Sequence, residues 1–162
     1  MNKQEILNEI KKTEKHLANM KKMLEECEYE RWKPEKGKIF YYLNSYNIAI
    51  SETWDASYAD AEHYNIYNCF QTREQAETEA EKILIRRQLE NIARKLNKGK
   101  QITWSTIDAK YFLYINCDGK IDINFNNSIA IQGVVYCLDK SFKDVVIQQI
   151  GEERLKNYLR GE

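Results

Sequence analysis

A segment of the chain recurs at a constant offset, and this repetition constrains the fold more than any other sequence feature. The stretch RWKPEKGKIFYYLN, residues 31–44, is matched by TWSTIDAKYFLYIN, residues 103–116. Trp32 and Trp104 are separated by 72 positions, and the same offset relates Phe40 to Phe112 and several other identical residues. A constant offset of this kind indicates that the chain carries one supersecondary unit twice.

Each copy has the pattern of three strands followed by a helix. In the first copy we expect strands at 39–43, 48–54 and 64–70 and a helix at 73–97, which Thr72 and Gln75 begin as a capping box. In the second copy we expect strands at 111–115, 121–125 and 129–138 and helical structure from residue 140 onward. Asp118-Gly119 is the favoured pair for a two-residue type I′ hairpin.

The first strand of each copy carries apolar side chains on both faces. Phe40 and Tyr42 lie on one face, whereas Tyr41 and Leu43 lie on the other. Such a strand is covered on both sides. The unit's own helix is one expected cover, and the sister unit, a second chain or a ligand is the other.

Apolar residues near the N-terminus follow a heptad pattern. Steps of four and three residues connect Ile6, Ile10, Thr13, Leu17, Met20, Leu24 and Cys27. We call this set, with Thr13 as its one polar member, the heptad seam. Such a seam favours pairing with another helix, and Ile6, Ile10, Leu17, Met20 and Leu24 are the expected oligomerisation residues. The alternative is a helix that docks on its own domain through the same stripe.

These patterns predict an α+β protein. An N-terminal coiled-coil-like helix is followed by two tandem βββα units with antiparallel sheet. The expected boundaries are an oligomerisation helix at 1–31, a first unit at 32–99 and a second unit at 100–162.

Composition narrows the classes of partner. The chain has 25 basic and 25 acidic residues, so no net field attracts nucleic acid or an anionic membrane. Its four cysteines form no C-x-x-C pair, and no apolar run approaches the length of a membrane span. We therefore expect a reduced, cytoplasmic protein without membrane contact.

Catalytic and metal-binding motifs do not occur in the sequence. It has no phosphate-binding glycine loop, no H-E-x-x-H and no G-x-S-x-G, and it contains two histidines, His16 and His63. A dyad of His63 with Cys69 or Cys137 is the remaining candidate for nucleophilic chemistry. His63 is expected to point outward from a strand. We predict a protein that is not an enzyme and that uses no cofactor or metal.

Two segments are candidate binding sites. The segment 51–62 lacks basic residues, and its aromatic and acidic side chains could contact a protein: Trp54, Asp55, Tyr58 and Asp60. The second half of the long helix is rich in cations: Arg86, Arg87, Arg94, Lys95 and Lys98. These cations either compensate the helix dipole or bind an anion.

Three motifs resemble a family of small proteins from phages and prophages of Gram-positive bacteria. They are R-W-K-P-E-K-G at 31–37, N-C-F-Q-T-R-E-Q-A-E at 68–77 and I-G-E-E-R-L-K-N-Y-L at 150–159. Members of this family often have Gly where this sequence has Tyr67. The family brings no catalytic residues, and the resemblance implies a setting in which small accessory proteins bind and block a host defence.

The sequence and this resemblance together favour a non-enzymatic inhibitor of a bacterial defence system that acts in the cytoplasm of the infected host. Two mechanisms remain open, namely blocking of an effector protein in the manner of an anti-CRISPR and sequestration of a nucleotide second messenger. The alternative is a nucleic-acid-associated phage accessory factor that uses the basic half of the helix. Nucleic acid is the less favoured partner because the net charge is zero.

The heptad seam makes a direct prediction about subunit number. If the seam pairs between chains, native mass spectrometry of the purified protein will report a dimer or a higher oligomer, because the apolar stripe is buried between helices. A clean monomer would contradict pairing and favour a helix docked on its own chain.

Overall fold

The structure, a computed structural model, describes residues 11–14, 17, 31–105 and 107–161. The chain divides into two compact units, Met1–Lys33 and Pro34–Glu162. In the first unit, residues 11–14 and Leu17 are helical, and Leu17 is about half exposed. Ile6, Ile10, Met20 and Leu24 lie outside the described residues, so the heptad seam stays a prediction.

The second unit combines short antiparallel hairpins with helices, which confirms the predicted α+β class. Its two sheets have two strands each and do not pair with one another. The elements, in chain order, are β1 Ile39–Leu43, β2 Ala49–Thr53, α1 Tyr58–Asn65, α2 Arg73–Leu96, β3 Lys110–Ile115, β4 Ile121–Asn126, α3 Phe142–Ile150 and α4 Glu152–Arg160.

The two hairpins share one loop geometry at the offset of 72 residues. The Asn44 side-chain oxygen accepts from the amides two and four residues ahead, at 2.9 and 3.0 Å. Asn116 does the same at 3.0 and 3.0 Å. Each loop has three residues and closes on a residue with positive φ, Asn47 at 58° and Gly119 at 72°. The two-residue type I′ hairpin predicted at Asp118-Gly119 is therefore wrong, because Gly119 alone of that pair is left-handed.

The predicted third strand of the first copy is wrong, since residues 58–65 form α1. Ser57 begins this helix by accepting a hydrogen bond from the Asp60 amide at 3.3 Å. The Asp60 carboxylate in turn accepts from the amides of Asp55 and Ala56 at 2.7 and 2.9 Å, which closes the preceding loop. Alternating Tyr64 and Ile66 resemble a strand, but this local capping stabilises a helix instead.

A single backbone bridge replaces each predicted third strand. Tyr41 exchanges hydrogen bonds with Phe70 at 3.0 and 2.8 Å, and Tyr111 exchanges them with Cys137 at 2.7 and 2.9 Å. The Asn68 side chain extends the first bridge, because its oxygen accepts from the Leu43 amide and its nitrogen donates to the Leu43 carbonyl, both at 2.7 Å. Tyr67 turns the chain with φ of 62°.

The long helix α2 links the two hairpins. Its start is the predicted capping box, with Thr72 and Gln75 bonded reciprocally at 3.2 and 3.3 Å. Its first half packs Ala76 against Leu43 and Ala49. Its second half enters a larger core with β3, β4, α3 and α4, which contains Ile85, Leu89, Ile92, Ala93, Leu113, Ile121, Cys137, Phe142, Val146, Ile150 and Leu155.

The opposite face of each hairpin is also covered, as its apolar composition predicts. Phe40 is fully buried and meets Trp54 edge-on, with ring centroids 5.4 Å apart. Phe112 meets Tyr136 in the same way at 5.6 Å. The cover in each case comes from the chain's own residues, so within this unit a ligand or second chain is not needed for it.

The bonds of Asn68 to Leu43 predict a measurable loss of stability. Replacing Asn68 with Ala removes a donor and an acceptor from a half-buried strand end, and we expect the free energy of unfolding to fall by about 1–2 kcal/mol. Urea denaturation measures this difference. Asn91→Ala, on the exposed side of α2, is the control and should change stability by less than about 0.5 kcal/mol. Equal effects of the two substitutions would contradict the role of Asn68.

Candidate binding surface

Four of the five basic residues predicted on the long helix lie on its exposed side. Ile85, Leu89 and Ile92 face the core, which leaves Arg86, Arg87, Arg94 and Lys95 in solvent. Helical spacing places Arg87 and Arg94 along one face, and Arg87 and Lys95 are about 12 Å apart along the helix axis. The predicted place of Lys98 on this face is wrong, because α2 ends at Leu96 and Lys98 lies in the following turn with φ of 50°.

Arg86 differs from the other four residues because it is already engaged. Its Nε lies 3.0 Å from the Glu90 carboxylate, and its guanidinium donates to the Gly133 carbonyl at 3.4 Å. Arg87, Arg94, Lys95 and Lys98 form no ion pair within 4.0 Å of another described residue. We call these four residues the basic strip.

The end of the basic strip borders a cavity with a volume of about 460 Å³. Lys98, Lys100, Asp108, Tyr111 and Asp139 are among its lining residues. Hydrogen bonds from Ser141, together with the nearby positive charges of Lys98 and Lys140, hold the pKa of Asp139 below its ordinary value. The cavity therefore has both signs of charge, and Lys98 is the one strip residue that reaches it.

The second predicted surface, at residues 54–60, does not exist as one exposed patch. Trp54 is 3% exposed and packs on Phe40, while Asp60 is 2% exposed and binds backbone amides. Tyr58 and Asp55 are exposed, and hydrogen bonds from Ser57 hold the pKa of Asp55 below its ordinary value. The expectation of four exposed contact residues is therefore wrong for Trp54 and Asp60.

His63 lies in an aromatic cluster instead of pointing outward from a strand. It is on α1, and its ring stacks on Tyr42 with centroids 4.1 Å apart and also approaches Phe40 at 6.5 Å. Its Nδ1 is buried and has no hydrogen-bond partner among the described residues. The outward orientation predicted for His63 is wrong because α1 folds back over this face of the hairpin.

Cys137, one of the two cysteines considered as a partner for His63, is held by the side-chain amide of Asn97. It is fully buried, and its Sγ lies 3.3 Å from the Asn97 side-chain oxygen. Burial raises the pKa of this thiol above its ordinary value. A buried protonated thiol is a poor nucleophile.

Sequence reasoning did not find an apolar groove between the first hairpin and α2. Its volume is about 370 Å³, and its walls are Tyr46, Asn47, Ile48 and Ala49 on the hairpin and Arg73, Glu77, Ala80, Glu81 and Leu84 on the helix. Leu84 is 45% exposed. Ile83, the residue before Leu84, packs on the core. Leu84 is therefore an apolar residue out of phase with the buried stripe, and this feature of the sequence indicates the groove.

Neither a metal-binding cluster nor a membrane-spanning helix occurs among the described residues. These residues contain no group of three His, Cys, Asp or Glu side chains placed to hold a metal ion. They also contain no helix that is both long enough and apolar enough to span a bilayer.

Comparisons with protein-family models, curated proteins and solved structures give no match to this chain.

The reactivity of the cysteines toward an alkylating reagent distinguishes a structural thiol from a catalytic one. At pH 8 we expect iodoacetamide to alkylate exposed Cys117 in the native protein and to leave Cys137 unmodified until the protein unfolds. Peptide mapping by mass spectrometry gives the site of modification. Cys117→Ser is the control, which should remove the rapidly modified peptide. Rapid alkylation of native Cys137 would contradict this assignment.

Proposed function

We propose that the chain is a non-enzymatic binding protein, encoded by a phage or prophage, that inhibits a bacterial defence system in the cytoplasm of the infected host. It acts by blocking a defence effector protein, and the basic strip is its contact surface. The observation that carries the proposal is the set of four exposed cations that form no ion pair with another described residue. The setting rests on the three motifs at 31–37, 68–77 and 150–159.

The helix dipole accounts for part of the strip but not for all of it. Arg94 and Lys95 lie in the last turn of α2, where a cation is stabilised by the helix carbonyl groups. Arg87 lies nine residues before the end of the helix, and the dipole effect is confined to the last turn. An exposed Arg at that position is therefore better explained by contact with an anionic partner.

The shape of the strip favours a broad partner over a small ligand. Small molecules bind in concave sites that enclose most of their surface. Arg87, Arg94 and Lys95 do not line any of the described cavities, and they lie on the outer surface of a single helix. Sequestration of a nucleotide signal would need a second subunit to close the site. Blocking of an effector protein needs one strip alone.

Self-association and the tandem units are part of the same proposal. Pairing through the heptad seam would give each particle two or more basic strips, and linked sites raise the apparent affinity for a partner that presents repeated surfaces. The units at 32–99 and 100–162 share their hairpin geometry, but α2 belongs to the first of them. We therefore expect the two units to differ in function.

A nucleic-acid-associated accessory factor is the second candidate. The part of the strip that lies on α2, about 12 Å long from Arg87 to Lys95, would span several phosphates of a nucleic acid strand. Binding to phosphates would weaken steeply with salt, and the slope would report the number of phosphates neutralised. The zero net charge of the chain favours a protein partner.

The proposal predicts that charge reversal on the strip abolishes inhibition. Phage are plated on bacteria that carry individual defence systems, with or without expression of this chain. We expect expression to restore plating on the system that it targets, and Arg87→Glu combined with Arg94→Glu to remove the effect. Lys120→Glu, an exposed charge reversal in the second hairpin loop, should retain it. Full inhibition by the Arg87/Arg94 double variant would contradict the role of the strip.

Native mass spectrometry of the protein purified from those cells separates the mechanisms. A bound effector protein supports blocking. A nucleotide-sized adduct that disappears with Arg94→Glu would replace blocking with sequestration, and co-purified nucleic acid with a steep salt dependence would favour the accessory factor.

A further inference from the structure

The outer edge of β2 has free backbone groups. Tyr41 uses both its N–H and its C=O for Phe70, so it does not bond to Ser51, which is its neighbour in register across β1 and β2. The hydrogen bonds between β1 and β2 fall instead on the residues on either side of each such pair. The 2.9 Å bond from the Trp54 amide to the Lys38 carbonyl follows this pattern. The N–H and C=O groups of Ser51 and Thr53 therefore point away from β1.

Nothing in the described part of the chain covers this edge. Ser51, Glu52 and Thr53 are exposed, and the amides of Ser51 and Thr53 donate to no described residue. A row of free donors and acceptors on an edge strand is a template for pairing with another extended chain.

The equivalent edge of the second hairpin is closed by side chains. Tyr111 bonds to Cys137, so the outward amides of β4 include those of Ile123 and Phe125. The Asp122 side chain accepts from the Ile123 amide, and the Asn124 side chain accepts from the Phe125 amide, both at 2.8 Å. The ion pair of Asp122 with Lys143, at 3.6 Å, further covers that edge.

At the offset of 72 residues, Ile50 and Glu52 stand where β4 has Asp122 and Asn124. Isoleucine has no side-chain acceptor, so the Ser51 amide cannot be closed in the same way. The two hairpins therefore have the same loop geometry but different outer edges. Side chains cap the amides of β4, whereas the described residues leave those of β2 open.

The open edge lies next to the apolar groove. Ile48 and Ala49 form the groove wall at the beginning of β2, and Leu84 forms the wall on α2. A strand added to β2 would direct every second side chain toward α2 and into this groove. An open edge beside a groove between strand and helix is the arrangement that supports β-augmentation, in which the backbone gives affinity and the groove selects side chains.

We propose that β2 and this groove bind an extended peptide segment of a partner protein as an antiparallel third strand. The peptide carries an apolar side chain that lies between Ile48 and Leu84. It carries a basic residue beside that side chain, because Glu52 is exposed on the edge and forms no ion pair with another described residue. The two acidic residues of the groove do not add to this attraction, since Glu77 is paired with Arg73 and Glu81 with Arg154. The site is separate from the basic strip and does not depend on it.

A second copy of the chain fits this edge less well. In an antiparallel pair of β2 strands centred on Ser51, the residues directed toward α2 would be Ala49, Ser51 and Thr53. These side chains are too small to fill a groove of about 370 Å³. A shift of one residue would instead direct Glu52 toward Glu77 and Glu81. The groove therefore favours a different sequence as its occupant.

The test uses blocked synthetic peptides of the form Lys-Thr-X-Thr-X-Thr-Lys, in which X is Leu, Val, Ile or Phe. The amide signals of Ser51 and Thr53 are followed by NMR during titration into the full chain. We expect these signals to shift and their hydrogen exchange to slow by about tenfold or more with at least one peptide. The absence of any shift with all four peptides at millimolar concentration would overturn the proposal.

Backbone methylation provides the matched control. In an antiparallel pair, the residues whose side chains enter the groove are also those whose amides point toward β2. N-methylation of the X residues should therefore abolish binding, whereas N-methylation of the central Thr residue should preserve it. Equal binding of the two methylated peptides would show contact without strand addition and would overturn the proposal.

Protein variants separate this site from other surfaces. Leu84→Glu places a charge in the groove at an exposed position and should abolish peptide binding, while Ile131→Glu, at a similarly exposed position elsewhere, should not. Arg94→Glu should leave peptide binding unchanged, so failure of the basic strip and failure of this site are distinguishable. Slow exchange of the Ser51 amide in the free protein that depends on its concentration would show that a second copy occupies the edge, which would also overturn the proposal.

Discussion

The burial of one helix in the cores of both hairpins is the interaction on which the second unit depends. A hairpin of two strands is marginally stable in water without a further packing surface. The first half of α2 provides that surface for β1 and β2 through Ala76. For β3 and β4 the surface comes from α3 and α4, and the second half of α2 packs against these helices in the same core through residues such as Leu89. The same 24-residue helix therefore joins both cores. The binding surfaces that we infer are the exposed basic side of α2 and the outer edge of β2 with its groove, which this packing leaves uncovered by described residues.

The sequence predicts those parts of the fold that depend on local patterns. The start of α2 follows from the side-chain bonds between Thr72 and Gln75, and the hairpins follow from the alternation that is repeated after 72 residues. The third strand of the first copy is not predictable in this way. Tyr64 and Ile66 alternate as in a strand, yet the competing bonds of Ser57 and Asp60 make a helix of residues 58–65. Capping over a few residues outweighs a weak alternation.

The candidate surfaces were predictable to different degrees. Exposure of Arg87 and Arg94 follows from charge and helical phase, because an unpaired charge is costly to bury. Burial of Trp54 does not follow from its acidic surroundings, because it depends on how β2 and Phe40 meet in three dimensions. Asp60 is buried because backbone amides replace its water. Acidic and aromatic composition alone therefore does not distinguish a contact surface from a loop that is held by hydrogen bonds among its own residues.

The difference between the two hairpin edges shows how two matching backbones can take different roles. The loops of Asn44 and Asn116 coincide bond for bond, so the outward amides of β2 and β4 are in equivalent positions. Side chains able to accept from these amides are present in β4, whereas Ile50 in β2 lacks an acceptor. Capping protects an edge from pairing with other chains, at the expense of its use as a binding site. An edge that the described residues leave open beside a groove, next to a second hairpin whose edge is capped, supports the proposal of a partner strand.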